Sequence, residues 1–139
     1  MTDPKSRDLY YAAGFFDGEG AIMLSRRRGY VRLEVAASQN TNLVLVFFVK
    51  WFGGHVYSHV PKGRSDTTIF QWKVYGDEAV SFLRLVENIL VVKKSDAQEC
   101  IHGWIHRHEP EIVDPIIQGR KERQDERRRR IAEAKASGI

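Results

Sequence analysis

The run Ala12-Ala13-Gly14-Phe15-Phe16-Asp17-Gly18-Glu19-Gly20 constrains the fold of this chain more than any other stretch. Alanine and glycine are poor choices for an exposed helix. They suit one whose backbone lies close against another element. Two carboxylates, Asp17 and Glu19, stand at the foot of that helical pattern, and Gly18 and Gly20 end it. Small residues along a seam and acids at its foot favour close helix packing beside a place where a hard cation can be held.

The chain has 139 residues, enough for one hydrophobic core, and 42% of them are apolar, which excludes disorder throughout. No apolar run approaches the roughly 20 residues of a membrane helix, and Met1-Thr2-Asp3-Pro4-Lys5 lacks the apolar stretch of a signal peptide. The expectation is a protein with no membrane partner, in the cytoplasm or an organellar matrix. Cys100 is the single cysteine, so neither an intramolecular disulfide nor a thiolate metal site can form. The net charge of +4 is unevenly spread. Residues 1–117 balance at 14 basic and 14 acidic groups, yet residues 26–73 carry eight bases against Glu34 and Asp66. Residues 118–135 add eight bases against four acids. Two local basic regions on a neutral background are the footprint of a nucleic-acid partner.

The pattern predicts a helix over Leu9–Phe16, with Ser6 or Asp8 as its cap. Strands follow at 21–28 and 30–38, joined at Gly29. Ile22 and Leu24 oppose Met23, Ser25 and Arg27 in the first strand. Val31, Leu33, Val35 and Ala37 oppose Arg32, Glu34 and Ala36 in the second. Thr41–Phe52 reads as a helix capped near Asn40 or Thr41 and stopped by Gly53-Gly54. His55–Val60 and Thr67–Tyr75 are two more strands around the loop Pro61–Asp66. In the last of them Phe70, Trp72 and Val74 face inward and Ile69, Gln71 and Lys73 outward. Helices are expected over Asp77–Leu90, with Val80, Leu83, Val86 and Leu90 on one side, and over Ser95–Arg107, where Ser95 and Gln98 form a capping box. The order helix, hairpin, helix, hairpin, helix, helix gives an α+β domain, an antiparallel sheet with helices on one face. Residues 1–109 are assigned to this domain and 110–139 to a basic C-terminal extension. Pro110 and Pro115 are expected to break the helix there. Ile112, Val113, Ile116 and Ile117 can dock on the body. The segment around Arg127-Arg128-Arg129-Arg130 is either a solvated helix or a DNA-backbone contact.

The nine-residue run resembles the motif of the LAGLIDADG homing endonucleases, with Ala12-Ala13 opening it, Asp17 and Glu19 as its acids and Gly20 closing it. The resemblance covers roughly residues 8–108 and implies an αββαββα, saddle-shaped four-stranded antiparallel sheet. It implies that the motif helix packs against a twin. Only one copy is present, so the chain is expected to be a homodimer joined through Ala12, Ala13, Gly14 and Phe16.

By the same resemblance Glu19 is the metal carboxylate and the Gly18 carbonyl a further ligand, with Mg²⁺ as cofactor and Mn²⁺ as substitute. Asp17 takes a structural role, bonding nearby backbone. Gln39 positions water around the scissile phosphate, and Lys93, or its neighbour Lys94, stabilises charge on it. Leu43 departs from the family, which has a basic side chain there. The implied activity is site-specific cleavage of a long pseudo-palindromic DNA duplex with short 3′ overhangs. The alternative is a non-cleaving binder such as a maturase of group I intron RNA.

Period two places Ser25, Arg27, Tyr30, Arg32, Glu34, His55, Tyr57, His59, Gln71 and Lys73 on the outer sheet face, where side chains can read bases in a groove. Arg27 or Arg32 suits guanine and Gln71 adenine, while Lys62 and Arg64 in the loop suit phosphates. His102, His106 and His108 lack the further ligand a zinc site needs and are expected at the surface or in packing, as is Trp104. No phosphate-binding or dinucleotide glycine pattern is present.

Overall fold

A computed structural model describes residues 5–63 and 67–138. The order of elements is α1 (Ser6–Glu19), β1 (Gly20–Arg27), β2 (Tyr30–Gln39), α2 (Leu43–Phe52), β3 (His55–His59), β4 (Ile69–Tyr75), α3 (Gly76–Val86), α4 (Lys94–Ile105) and α5 (Pro110–Ala136). The strands form one antiparallel, saddle-shaped sheet in the order β1-β2-β4-β3, flanked by helices. Periodicity could not fix that order. The registers do: Ile22 pairs with Val35, Val35 with Val74, and Trp72 with Val56.

β1 and β2 are joined by Arg28-Gly29, both at positive φ (52° and 83°), as a two-residue hairpin turn of matching twist requires. The core lies between the sheet's inner face and the helices. Phe16, Phe48, Phe52, Trp72 and Phe82 meet there ring against ring, with Phe52 and Phe82 centroids 4.8 Å apart and Phe48 and Trp72 5.0 Å. Trp72 donates its indole N–H to the Gly53 carbonyl at 2.9 Å. Truncating one such ring to alanine costs about 3–5 kcal/mol.

Several local expectations are corrected. Lys5, Asn42 and Lys93 precede α1, α2 and α4, and none makes a side-chain cap. Ser6, Asp8, Asn40 and Thr41 therefore do not cap, and the Ser95–Gln98 box does not form. α3 ends at Val86, and Leu90 reaches the core from the turn beyond it. Its core stripe is Ala79, Phe82, Leu83 and Val86, with Val80 only half-buried.

The prolines do not break the C-terminal segment either. Pro110 opens α5, where its missing N–H costs nothing, and α5 runs on through Pro115. Contacts on either side hold it. Val113 is fully buried, Ile116 and Ile117 pack on the core, and Asp114 takes the Arg26 guanidinium at 2.6 Å. Arg120 donates to the Ile22 carbonyl at 3.0 Å, so α5 covers the free edge of β1. Among the described residues no helix is long and apolar enough to cross a membrane.

Candidate functional site

α1 ends where the acids stand. A Cβ at Gly20 would lie 2.5 Å from the Phe16 carbonyl, so the chain can turn from helix into β1 only with glycine there. The Asp17 carboxylate faces the turn that leads into α4 and accepts the backbone N–H groups of Val91 (2.9 Å), Val92 (3.0 Å) and Lys93 (2.8 Å). Burial pushes this carboxyl up, but those three N–H groups and the Lys93 ammonium outweigh it and hold it below its ordinary value of 3.8. The Lys93 ammonium returns to the Asp17 carbonyl at 2.6 Å. Helix and turn are thus tied in both directions, and Lys93 stands at the foot of the motif.

Glu19, the last residue of α1, is exposed and has no ion-pair or hydrogen-bond partner among the described residues. The Gly18 carbonyl lies beyond the last intrahelical donor, because the residue four ahead of it is already in β1. Gln39 ends β2 two residues past the Gly20–Ala37 pair, which brings it level with Gly18. Its side-chain oxygen accepts the Asn40 N–H at 3.0 Å, leaving its amide N–H groups as donors. Leu43, the family departure, begins α2 and is 72% exposed.

Among the described residues of one chain, no group of three or more His, Cys, Asp or Glu side chains converges for a metal. Asp17 is committed to backbone, so Glu19 is the motif's free carboxylate. One carboxylate and one carbonyl do not suit zinc. They do suit Mg²⁺, which keeps several waters and completes its shell from phosphate oxygens or a second carboxylate. Cys100 is buried, and that burial pushes its thiol up to about 12 against the opposing pull of Arg120, so it offers no nucleophile. The His102 and His106 rings lie 4.5 Å apart, and His106 pairs with Glu109 at 2.6 Å.

The seam set needs correction. Ala12, Ala13 and Phe16 are at most 1% exposed and belong to this chain's own core. Only Gly14 of the four lies outside. The face that α1 leaves open is Tyr10, Tyr11, Gly14 and Gly18, and a Cβ at either glycine would meet nothing within 4 Å. Helical spacing alone separates these sets, because Ala12 and Phe16 are one turn apart on the opposite side from Gly14 and Gly18.

The outer sheet face assembles as period two requires. The register sets Ser25 beside Arg32, Arg27 beside Tyr30, Lys73 beside His55 and Gln71 beside Tyr57, with Glu34 and His59 on the same face. Glu34 is flanked by Arg32 at 3.5 Å and Lys73 at 3.7 Å, and the Arg32 guanidinium lies 4.9 Å over the Tyr75 ring. Gln71 donates to the Ser38 hydroxyl at 3.1 Å. Lys62 is exposed in the β3–β4 connection, and Arg64 lies outside the described residues. Tyr75, Ser38 and the half-exposed Met23 were missed, although the same alternation marks them. Arg26, within the basic run, faces α5 instead and is taken by Asp114.

No protein-family model matches the sequence, and no curated protein matches it. Solved structures do share the fold. The homing endonuclease I-CvuI, in complex with its target, is 18% identical with a TM-score of 0.62, over 81% of this chain and 83% of its own. An archaeal intron-encoded homing endonuclease complexed with DNA is 15% identical with a TM-score of 0.57, over 83% of this chain and 85% of its own. The LAGLIDADG homing endonuclease I-SmaMI, bound to cleaved DNA, is 15% identical with a TM-score of 0.61; the match spans 86% of this chain but 45% of that one. At these identities the likeness establishes the fold.

Proposed function

We propose that two copies of this chain form a site-specific, divalent-metal-dependent DNA endonuclease of the LAGLIDADG homing type. It cuts both strands of a long pseudo-palindromic duplex and leaves short 3′ overhangs. The observation that carries this reading is the meeting of Glu19, exposed and unpartnered, with the anchored Lys93 ammonium at the foot of α1. The open Tyr10, Tyr11, Gly14 and Gly18 side of that helix supports the pairing with a second copy. The match over most of I-CvuI, a similar-sized chain, supports it too.

Each residue then has a role its position allows. Glu19, with the Gly18 carbonyl, holds Mg²⁺ or Mn²⁺. The bound ion polarises the phosphate, acidifies a water and stabilises the leaving 3′ oxygen. Lys93 supplies positive charge beside the phosphate as negative charge builds there. Gln39 donates its free amide N–H groups to a water. The outer face, with Arg27, Arg32 and Lys73 outnumbering Glu34, lies in the groove.

The test is selection of cleaved duplexes from a randomised library with Mg²⁺. The expected result is a consensus with two-fold symmetry. Failure to enrich any sequence at concentrations where the protein is dimeric argues against the reading.

A further inference from the structure

The half of α5 beyond Arg120 lies outside the docked region, and its direction and charge can both be read. Asp114 meets Arg26 near the end of β1, and Arg120 meets Ile22 near its start, so α5 runs antiparallel to β1. Arg120 also meets Asp96 at 2.9 Å, and Arg123 meets Glu99 at 2.7 Å, both in the first half of α4. The remaining helix, to Ala136, is about 24 Å long at 1.5 Å per residue. Only two residues, about 7 Å of strand, separate Ile22 from the start of β1. α5 therefore projects well past the end of the protomer that carries Glu19, Lys93 and Lys94.

Its charges are sorted by face. The docking stripe Val113, Ile116 and Arg120 continues, at helical spacing, through Arg127 and Ile131, with Arg128 and Lys135 beside it. No acid lies on that side. Glu122, Asp125, Glu126 and Glu133 lie opposite, where Arg129 and Arg130 pair with Glu126. Arg127, Arg128 and Lys135 are exposed and have no acidic partner among the described residues. A helix that is merely solvated has no need to separate its charges in this way.

We propose that the free half of α5 is an arm that follows the phosphate backbone of duplex DNA past the Glu19 end of each protomer, through Arg127, Arg128 and Lys135. This rests on the DNA-binding reading above and adds a contact outside the sheet face. It supplies affinity without base preference, because cations on a helix exterior meet phosphates and not base edges.

The test measures binding of the full-length protein to a random-sequence duplex of about 40 base pairs across a salt series, a length that leaves room for phosphate contacts beyond the sheet. The triple variant Arg127→Ala, Arg128→Ala, Lys135→Ala should lower the slope of log affinity against log salt by about five for the dimer, at about 0.9 per lost phosphate contact. The double variant Arg129→Gln, Arg130→Gln, on the acid-paired side, should move it by less than about one. Sedimentation and circular dichroism should be unchanged in both. An unmoved slope in the triple variant, or equal shifts in the two variants, overturns the arm. So does loss of the dimer in the triple variant, which would mean that the arm clasps the partner copy. Salt-dependent binding by the wild-type chain with an unmoved slope defeats the arm alone. No duplex binding by the wild-type chain defeats the functional reading with it.

Discussion

Replacing Asp17 with Asn tests how the motif holds its neighbour in place. The carboxylate accepts three backbone N–H groups at 2.8–3.0 Å, and these bonds fix the turn that carries Lys93. An amide has one acceptor oxygen, and its NH₂ group meets an N–H head-on, so at least one bond becomes a repulsion. The loss is comparable to that of a strong helix cap, about 2 kcal/mol, or a fall of roughly 6 °C in Tm for a chain of this size. The pH dependence follows from the lowered Asp17 pKa. A carboxyl held below its unfolded value contributes stability that is present above that value and lost as pH falls through the folded one. The wild-type advantage over Asp17→Asn should therefore be complete at neutral pH. It should shrink below about the ordinary value of 3.8. Urea unfolding at fixed protein concentration, at pH 7 and again in strong acid, measures both. An Asp17→Asn midpoint equal to wild type at pH 7, or a deficit that persists once the carboxyl is protonated, would refute this account of the foot.

Gly14→Leu should leave the protomer folded, since a Cβ there meets nothing within 4 Å, yet move sedimentation from a dimer toward the 16.0 kDa chain. Ala13→Leu should instead lower Tm, because Ala13 is 1% exposed and lies in the core. Arg32→Ala should relax preference at one symmetric pair of target positions, by about 1–3 kcal/mol in binding to single-base variants. Lys62→Ala should weaken all sequences alike and reduce the salt slope by up to about one per protomer. Arg28→Asn should stabilise the fold by about 0.5–1 kcal/mol, read as a raised urea midpoint, because Arg28 sits at a φ of 52° that asparagine tolerates better.

Alternation along β1, β2 and β4 was enough to sort the sheet's two faces, because one face is buried and a slip of one residue would invert it. The outer set, from Ser25 to Lys73, accordingly lies together. What alternation could not supply was strand order, which depends on contacts far apart in sequence. The motif helix shows a different limit. Composition marked Ala12, Ala13, Gly14 and Phe16 as small or apolar, but a helix packed on its own sheet as well as a twin has two such faces. Only the 3.6-residue spacing assigns Ala12 and Phe16 to the core and Gly14 and Gly18 to the outside. Caps were misread because Asp17, distant in sequence from Val91–Lys93, replaces a local cap. Pro115 was read as a helix breaker, but the burial of Val113 and the Asp114–Arg26 pair carry α5 through it.

The central claim is that Glu19 carries the metal that cuts DNA, and the most direct measurement compares wild type with Glu19→Gln on a duplex recovered by selection. The account predicts Mg²⁺- or Mn²⁺-dependent double-strand cleavage by wild type. With Glu19→Gln it predicts no detectable product, while binding to the same duplex persists or tightens, since the amide keeps the shape and relieves like charge at the seam. Turnover by Glu19→Gln, or wild-type cleavage in excess EDTA, would contradict it.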